Sequence, residues 1–240
     1  MLFHVKHPAR GSMHVSRETP AAGWDPWAQL DPAQREQLEH YARLLQELGR
    51  RHNLVSRETL PELHRRHLLH CLALTWRPFP PGSVVVDWGT GGGLPAVPLA
   101  IAFPGVTVHA VDAAQKKVLA VRTMARRLGL ANLQVHHARA ERWEGAAHYS
   151  VSRATAPLAT LWQWHHRVAR PLAASPDAWP PGLLALKGGD LTDELAALER
   201  LDPHLHVRLW PLDRLLGDPL FAEKYLVHVA PEPEADASVR

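Results

Sequence analysis

The sequence predicts an α/β fold: a mostly parallel sheet of seven strands with helices on both faces and a small helical extension ahead of it. Three observations carry this. From Ser83 onward, short β-branched runs alternate with helical stretches long enough to cross back over a sheet. The run VVVDWGTGGGLPAVPLAIAFP, residues 84–104, sets a carboxylate and three alternating glycines, Gly89, Gly91 and Gly93, behind a valine strand. A chain of 240 residues is enough for one buried core with a modest extension.

Taken in order, residues 1–30 contain Pro8, Gly11, Pro20, Gly23 and Pro26 without a sustained period, which predicts a mobile or loosely docked arm. DPAQREQLEHYARLLQELGRRHN then opens with Asp31 as N-cap and Pro32 at the first helical position, and places Leu38, Tyr41, Leu45 and Leu48 at helical spacing. LPELHRRHLLHCLAL predicts a second helix, so residues 31–80 form a helical cap. SVVVD, VTVHAVD, LQVHHA, YSVS and LLALK read as parallel strands. HLHVRLW and KYLVHV flank a loop without a clear helix and predict an antiparallel edge hairpin. The main domain spans 81–230, and PEPEADASVR, 231–240, is expected to be a disordered tail.

The pentapeptide VSRET occurs at Val15–Thr19 and again at Val55–Thr59. One palindromic codon string encodes VSRET in one frame and the FHVK of Phe3–Lys6 in another, and it resembles the palindromes bound by bacterial chromosome-partition proteins. On that reading the repeat is a mark of the gene, and no protein chemistry is assigned to Val15–Thr19.

Apart from the ordinary globular composition, the exclusions are few. No apolar run reaches transmembrane length. The N-terminus carries charges and histidines where an export signal needs an apolar core, so a cytoplasmic protein is expected. A single cysteine, Cys71, excludes an internal disulfide and any multi-cysteine zinc site. His64, His67 and His70 are spaced by three, but no carboxylate completes a shell, and no metal is expected. The pI of about 9.3 permits a polyanionic partner without requiring one.

A strand, then glycines, then a helix brings backbone close to a nucleotide-like ligand at the C-terminal edge of a sheet. A dinucleotide site expects a further glycine where Leu94 stands. Asp87 discriminates better: a carboxylate repels a pyrophosphate but attracts the ammonium and sulfonium of S-adenosylmethionine. Asp112, ending the next strand, is placed to accept ribose hydroxyls, or else to cap the helix that follows. The loop Ala138-Arg139-Ala140-Glu141 is placed for the adenine edge. These residues predict a Rossmann-like class I S-adenosylmethionine-dependent methyltransferase.

After the fourth strand, enzymes that methylate nucleic-acid amino groups carry Asn-Pro-Pro-Tyr or a relative, and cytosine C5 enzymes a Pro-Cys nucleophile. This chain has Ser152-Arg153-Ala154. That absence suits guanine N7, which has an in-plane lone pair and no proton to lose. Alignment in a water-poor site then suffices, a contribution of roughly 7 to 11 kcal/mol at best. Arg153 and Lys187, both at strand ends, are candidates to hold phosphate or guanine O6.

VVDWGTGGGLPAVPLAI, VDAAQKKV, ARAE, VSRATAPL, LALKGG, HNLVS and RHLLHC closely resemble the glucose-inhibited division protein B family, the bacterial small-subunit ribosomal RNA guanine-N7 methyltransferases. The resemblance covers about residues 31–230. It implies cofactor contacts at Gly89, Leu94, Ala140, Glu141 and Arg153, and polar positions lining the cleft or meeting RNA at Asn53, His67, Arg139 and Arg153. Arg65, Arg66, Lys187 and Lys224 are the expected RNA contacts. The chain departs from the family at His70 and Cys71, usually Asp-Ser, at Trp88, usually small, and at Lys224, usually arginine. The expected substrate is 16S ribosomal RNA in the small subunit or an assembly intermediate, met by a monomer. A same-fold methyltransferase for another RNA or a small molecule, or a non-catalytic cofactor-binding protein linked to division, fits the same residues.

Overall fold

The computed structural model describes residues 13–18, 24–52, 54, 62–173 and 175–232, with the backbone alone for 50–52. Asn53, Thr19, the second VSRET segment and the tail from 233 lie outside the described residues. One mixed sheet has strands β1 (His14–Arg17), β2 (Val84–Trp88), β3 (Thr107–Asp112), β4 (Leu133–His137), β5 (Tyr149–Arg153), β6 (Gly182–Gly188), β7 (Leu205–Pro211) and β8 (Lys224–Pro231). Their spatial order is β1-β7-β8-β6-β5-β2-β3-β4. Only the two pairings made by β8 are antiparallel.

This corrects the predicted strand count from seven to eight. The extra strand, β1, comes from the segment expected to be an arm. Its residues pair in parallel with β7, Val15 opposite Val207, and Glu18 N–H donates to Leu209 O at 2.9 Å. Trp210 Nε1 also donates to a Glu18 carboxylate oxygen at 3.0 Å, so part of the repeated pentapeptide does carry structure. The physical reason is the free edge of β7, whose ladder groups need partners. The expected hairpin is therefore not at the edge: β8 pairs inward with β6, and β1 covers β7. The β7–β8 connection also holds a short helix, α7 (Leu212–Leu216).

Helix α1 (Pro32–His52) begins as predicted. Asp31 Oδ1 accepts from Gln34 N–H at 2.8 Å and Gln34 Oε1 accepts from Asp31 N–H at 3.0 Å, a reciprocal capping box. The Gln34 amide also reaches Ile101 O and Ala102 O, at 3.1 Å each, fastening the cap to the end of α3 (Ala96–Ala102). The predicted second helix is three short pieces: a π-helical turn His64–Leu68, α2 (Leu69–Leu72) and a 3₁₀ turn Ala73–Trp76.

Side chains alternate across the sheet. Val85 enters the apolar cluster shared with α1, α3, α4 (Gln115–Arg127) and α7. Val86 and Trp88 enter the opposite one, built with α5 (Leu158–Val168) and α6 (Thr192–Leu201). Leu38, Tyr41 and Leu45 of α1 are fully buried in the first cluster. From β2 the chain winds outward through β3 and β4, then returns to β5 on the other flank of β2. The C-terminal ends of these strands therefore frame a crevice where the winding reverses.

Candidate functional site

The glycine loop leaves β2 and folds over the end of β3, with Gly89 and Thr90 N–H groups donating to Val111 O at 2.9 and 3.0 Å. Gly89 has φ 68°, and a Cβ there would collide with the Thr155 side chain. Only glycine lets the loop pass this close to the β5 end. Thr155 Oγ1 in turn donates to Trp88 O at 3.0 Å, and Ala154 beside it holds φ 54°, a strained conformation for a residue with a Cβ.

Asp112 links the loop to the start of α4. Its Oδ2 accepts from Gly91 N–H at 2.9 Å and its Oδ1 from Ala114 N–H at 2.8 Å. Each oxygen keeps a second acceptor direction for a ligand hydroxyl. Both readings of Asp112 thus coexist, with the intraprotein bonds serving the loop and the first turn.

A cleft of about 340 Å³ opens here. Of the expected site residues, Gly89, Asp112, Arg139, Ala140 and Glu141 line it together. Ala154, Thr155, Lys117 and Trp164 line it as well. Trp164 went unnoticed because it lies in LATLWQWHH, whose apolar spacing is that of an ordinary core helix. Thr155 gave no signal either, being the loop residue two beyond Arg153.

The remaining cofactor candidates, Asp87, Gly91, Gly93, Leu94 and Arg153, do not line this cleft. Gly93 has φ 92° and packs where a Cβ would strike Val97, and Leu94 is buried. Asp87, expected to meet a sulfonium directly, is wholly buried beneath the loop. Its Oδ2 accepts from Ala96 N–H at 3.1 Å, and the carboxylate also takes a hydrogen bond from the Thr90 hydroxyl. Burial pushes its pKa up to about 7, against the pull of the Thr90 hydroxyl, the Ala96 amide and the Arg153 guanidinium. It does not line the cleft. Trp88, where the family usually has a small residue, is fully buried and packs edge-on to Trp143 and Trp164.

Arg153 is the charge shared by a polar cluster between the cap and the sheet. It bears on the pKa values of Tyr41, His67, His70, Cys71 and Asp87. Its Nη1 donates to His67 Nδ1 at 2.9 Å, and its Nε is buried without a partner among the described residues. Tyr41 OH donates to Gly92 O at 2.8 Å, so α1 supports the glycine loop from behind. Burial, aided by the nearby cations, pushes His70 down to about 3, and burial pushes the Cys71 thiol up to about 12. Both side chains are neutral around pH 7, and the thiol is no nucleophile.

The expected RNA-contact residues divide. Lys187 is corrected: its side chain is only 10% exposed, and its ammonium bonds Ala156 O at 2.9 Å and Glu194 Oε2 at 2.7 Å. Glu194 Oε2 also accepts from Leu158 N–H at 2.8 Å, so this pair anchors the start of α5 and is not presented to a phosphate. Arg65 makes a two-pronged bond to Asp218 at 2.7 and 2.8 Å, and Arg66 pairs with Glu62 one turn earlier. Both remain about half exposed. Lys224 and Arg139 are exposed. His64, the first of the three spaced histidines, goes to Glu39 at 2.9 Å.

Comparison with known proteins gives a family and a fold. The family model described as "GidB: rRNA small subunit methyltransferase G" matches residues 34–207. A protein of Salinibacter ruber named ribosomal RNA small subunit methyltransferase G is 57% identical over 208 residues, 86% of this chain and 97% of the relative. One of the same name from Chlorobium luteolum is 41% identical over 209 residues, 84% and 83% of the two chains. Among solved structures, a geranyl diphosphate methyltransferase in complex with GPP and sinefungin is similar with a TM-score of 0.53 at 14% identity, covering 83% of this chain and 99% of that one. The ribosomal protein L11 methylase of Lactobacillus delbrueckii gives 0.50, also at 14%, over 68% and 76%. At such identities the likeness shows the fold alone, that of class I methyltransferases.

Proposed function

The chain belongs to the rRNA small subunit methyltransferase G family, and from that premise we propose that it transfers a methyl group from S-adenosylmethionine to N7 of one guanine in 16S ribosomal RNA. The observation that carries the donor half is the convergence of Gly89, Asp112 and the Ala138–Glu141 turn on one cleft. An acidic strand end beside a glycine loop suits an adenosine with free ribose hydroxyls, and the buried Asp87 carboxylate behind it suits a cationic group in front. When bound, the donor supplies an electrophilic methyl carbon on sulfur.

This chain's residues bind and orient. Asp112 would hold ribose hydroxyls on the acceptor directions its backbone bonds leave open. Ala140 and Glu141 would border the base. Arg153, steadied by neutral His67, would orient the incoming guanine or its phosphate at the β5 end. Guanine N7 requires no proton removal, so the occupied state of both Asp112 oxygens does not handicap the reaction. Exposed Arg139, Lys224, Arg65 and Arg66 are the RNA contacts under this reading, and Asn53 is proposed beside them from the family resemblance alone. The substrate is the small subunit or an assembly intermediate, the working unit is a monomer, and the compartment is the cytoplasm. No helix among the described residues is long and apolar enough to cross a membrane.

Calorimetry tests the donor half. The account expects binding of S-adenosylmethionine and of its demethylated product, with no competition from a nicotinamide dinucleotide. Tight dinucleotide binding with neither of the other two would overturn it.

A further inference from the structure

Two cleft-lining segments meet at Arg167. The cleft wall from Ala138 to Glu141 is not a strand or a long helix; it is a single 3₁₀ turn, Ala140–Arg142, that follows the outermost strand β4. Its own bonds are Arg142 N–H to Arg139 O at 2.9 Å and a longer one, Trp143 N–H to Ala140 O at 3.3 Å. Upstream, Ala138 N–H donates to Asp112 O at 3.1 Å. A turn held so lightly needs another source of rigidity before it can border a ligand to within a few tenths of an ångström.

Arg167 of α5 supplies one. Its Nη1 donates to Trp143 O and its Nη2 to Ala140 O, both at 2.6 Å, so one planar group spans the two ends of the turn. Among the described residues no carboxylate lies within ion-pair distance of it, which leaves the carbonyls as its recorded partners. Three residues earlier on the same helix face, Trp164 lines the cleft itself. The guanidinium thus locks the turn to the helix that forms the facing wall. A lysine, a point charge without the fork, cannot hold both carbonyls in this way.

We infer that Arg167 is a positioning residue for the adenosine end of the methyl donor, acting through the Ala140–Arg142 turn and touching neither donor nor RNA. The inference rests on the donor reading above. Arg167→Ala and Arg167→Lys are compared with the wild-type chain by calorimetry against S-adenosylmethionine, S-adenosylhomocysteine and methylthioadenosine. Because all three ligands carry the adenosine, Arg167→Ala should weaken each by the same factor, about tenfold for lost charge-assisted bonds, with Arg167→Lys in between. In steady-state assays KM for the donor should rise while kcat at saturating donor stays put, a split that general loosening of the fold does not produce. Should the alanine variant not fold, the lysine variant decides alone. Wild-type affinity in the folded variants, or a loss confined to kcat, overturns the proposal. Failure of the wild-type chain to bind any of the three would overturn the donor reading, and this inference with it.

Discussion

Arg153 Nη1 donates to His67 Nδ1 at 2.9 Å, tying the end of β5 to the π-helical turn that precedes α2. A guanidinium only donates, so Nδ1 must accept, and His67 is the neutral tautomer with its proton on Nε2. Burial, then the charges of Arg153 and Arg66, push its pKa down to about 4, which agrees with that assignment. Removing the acceptor in His67→Ala should lower kcat about tenfold, and Arg153→Ala about a hundredfold, at saturating donor. His67→Gln, which restores an acceptor, should recover most of the loss. Unchanged kcat in His67→Ala would remove the pair from the mechanism.

Asp87 makes stability and donor binding depend on pH in opposite senses. Burial lifts its carboxyl from the ordinary 3.8 to about 7 in the fold. A raised folded pKa means that its contribution to stability is complete below about pH 4 and is lost as pH rises through about 7. Relative to Asp87→Asn, the melting temperature of the ligand-free protein should fall over that window and then level off. A cationic donor favours the ionised form, so its affinity should rise through the same window in the wild type and not in the variant. Thermal scans and titrations from about pH 5 to about pH 8 check both. A wild-type-minus-variant difference that ignores pH contradicts the assignment.

The contact of Gly89 with Thr155 predicts a non-additive pair. Gly89→Ala forces a Cβ into the Thr155 side chain at a φ of 68°, and should cost about 1 to 3 kcal/mol. Thr155→Ala alone loses the bond to Trp88 O, about 1 kcal/mol. The double variant should be more stable than the sum, because the two closest contacts, with the Thr155 methyl and hydroxyl, have gone while the tight approach to its Cβ at 3.2 Å and the left-handed strain stay. Denaturant melts of the four proteins give the coupling directly, and simple additivity would mean that the two residues do not press on each other.

Lys187 and Lys224 should separate cleanly. Lys187→Met strands Glu194 in a half-buried site and should lower stability by about 3 kcal/mol while leaving the salt dependence of RNA binding alone. Lys224→Met should do the reverse: little change in melting, and a salt slope shallower by about 0.7 to 0.9. Binding isotherms over a salt series settle which lysine faces phosphate.

What could be read from residues alone was whatever local chemistry decides. The Asp31 N-cap, the SVVVD strand, and the meeting of Gly89, Asp112, Ala140 and Glu141 at strand ends all follow from short stretches. What escaped depends on partners far along the chain. Val15 becomes a strand residue only because Val207 presents a free edge, and Lys187 is occupied only because α6 delivers Glu194 to it. Trp164 faces the cleft although its spacing is that of a core residue, since a helix period says which side is apolar and not what that side meets. Asp87 stands at the expected strand end, but its burial is set by the loop folded over it, which the strand pattern does not reveal.

The most direct measurement is to incubate the protein with unmethylated small subunits and methyl-labelled S-adenosylmethionine, then cleave the 16S RNA chemically at N7-methylguanine. One cut, at a single guanine, with label recovered in that nucleotide, is the predicted result. Label on another atom, another RNA or a small molecule, or donor binding with no label transferred, would contradict it.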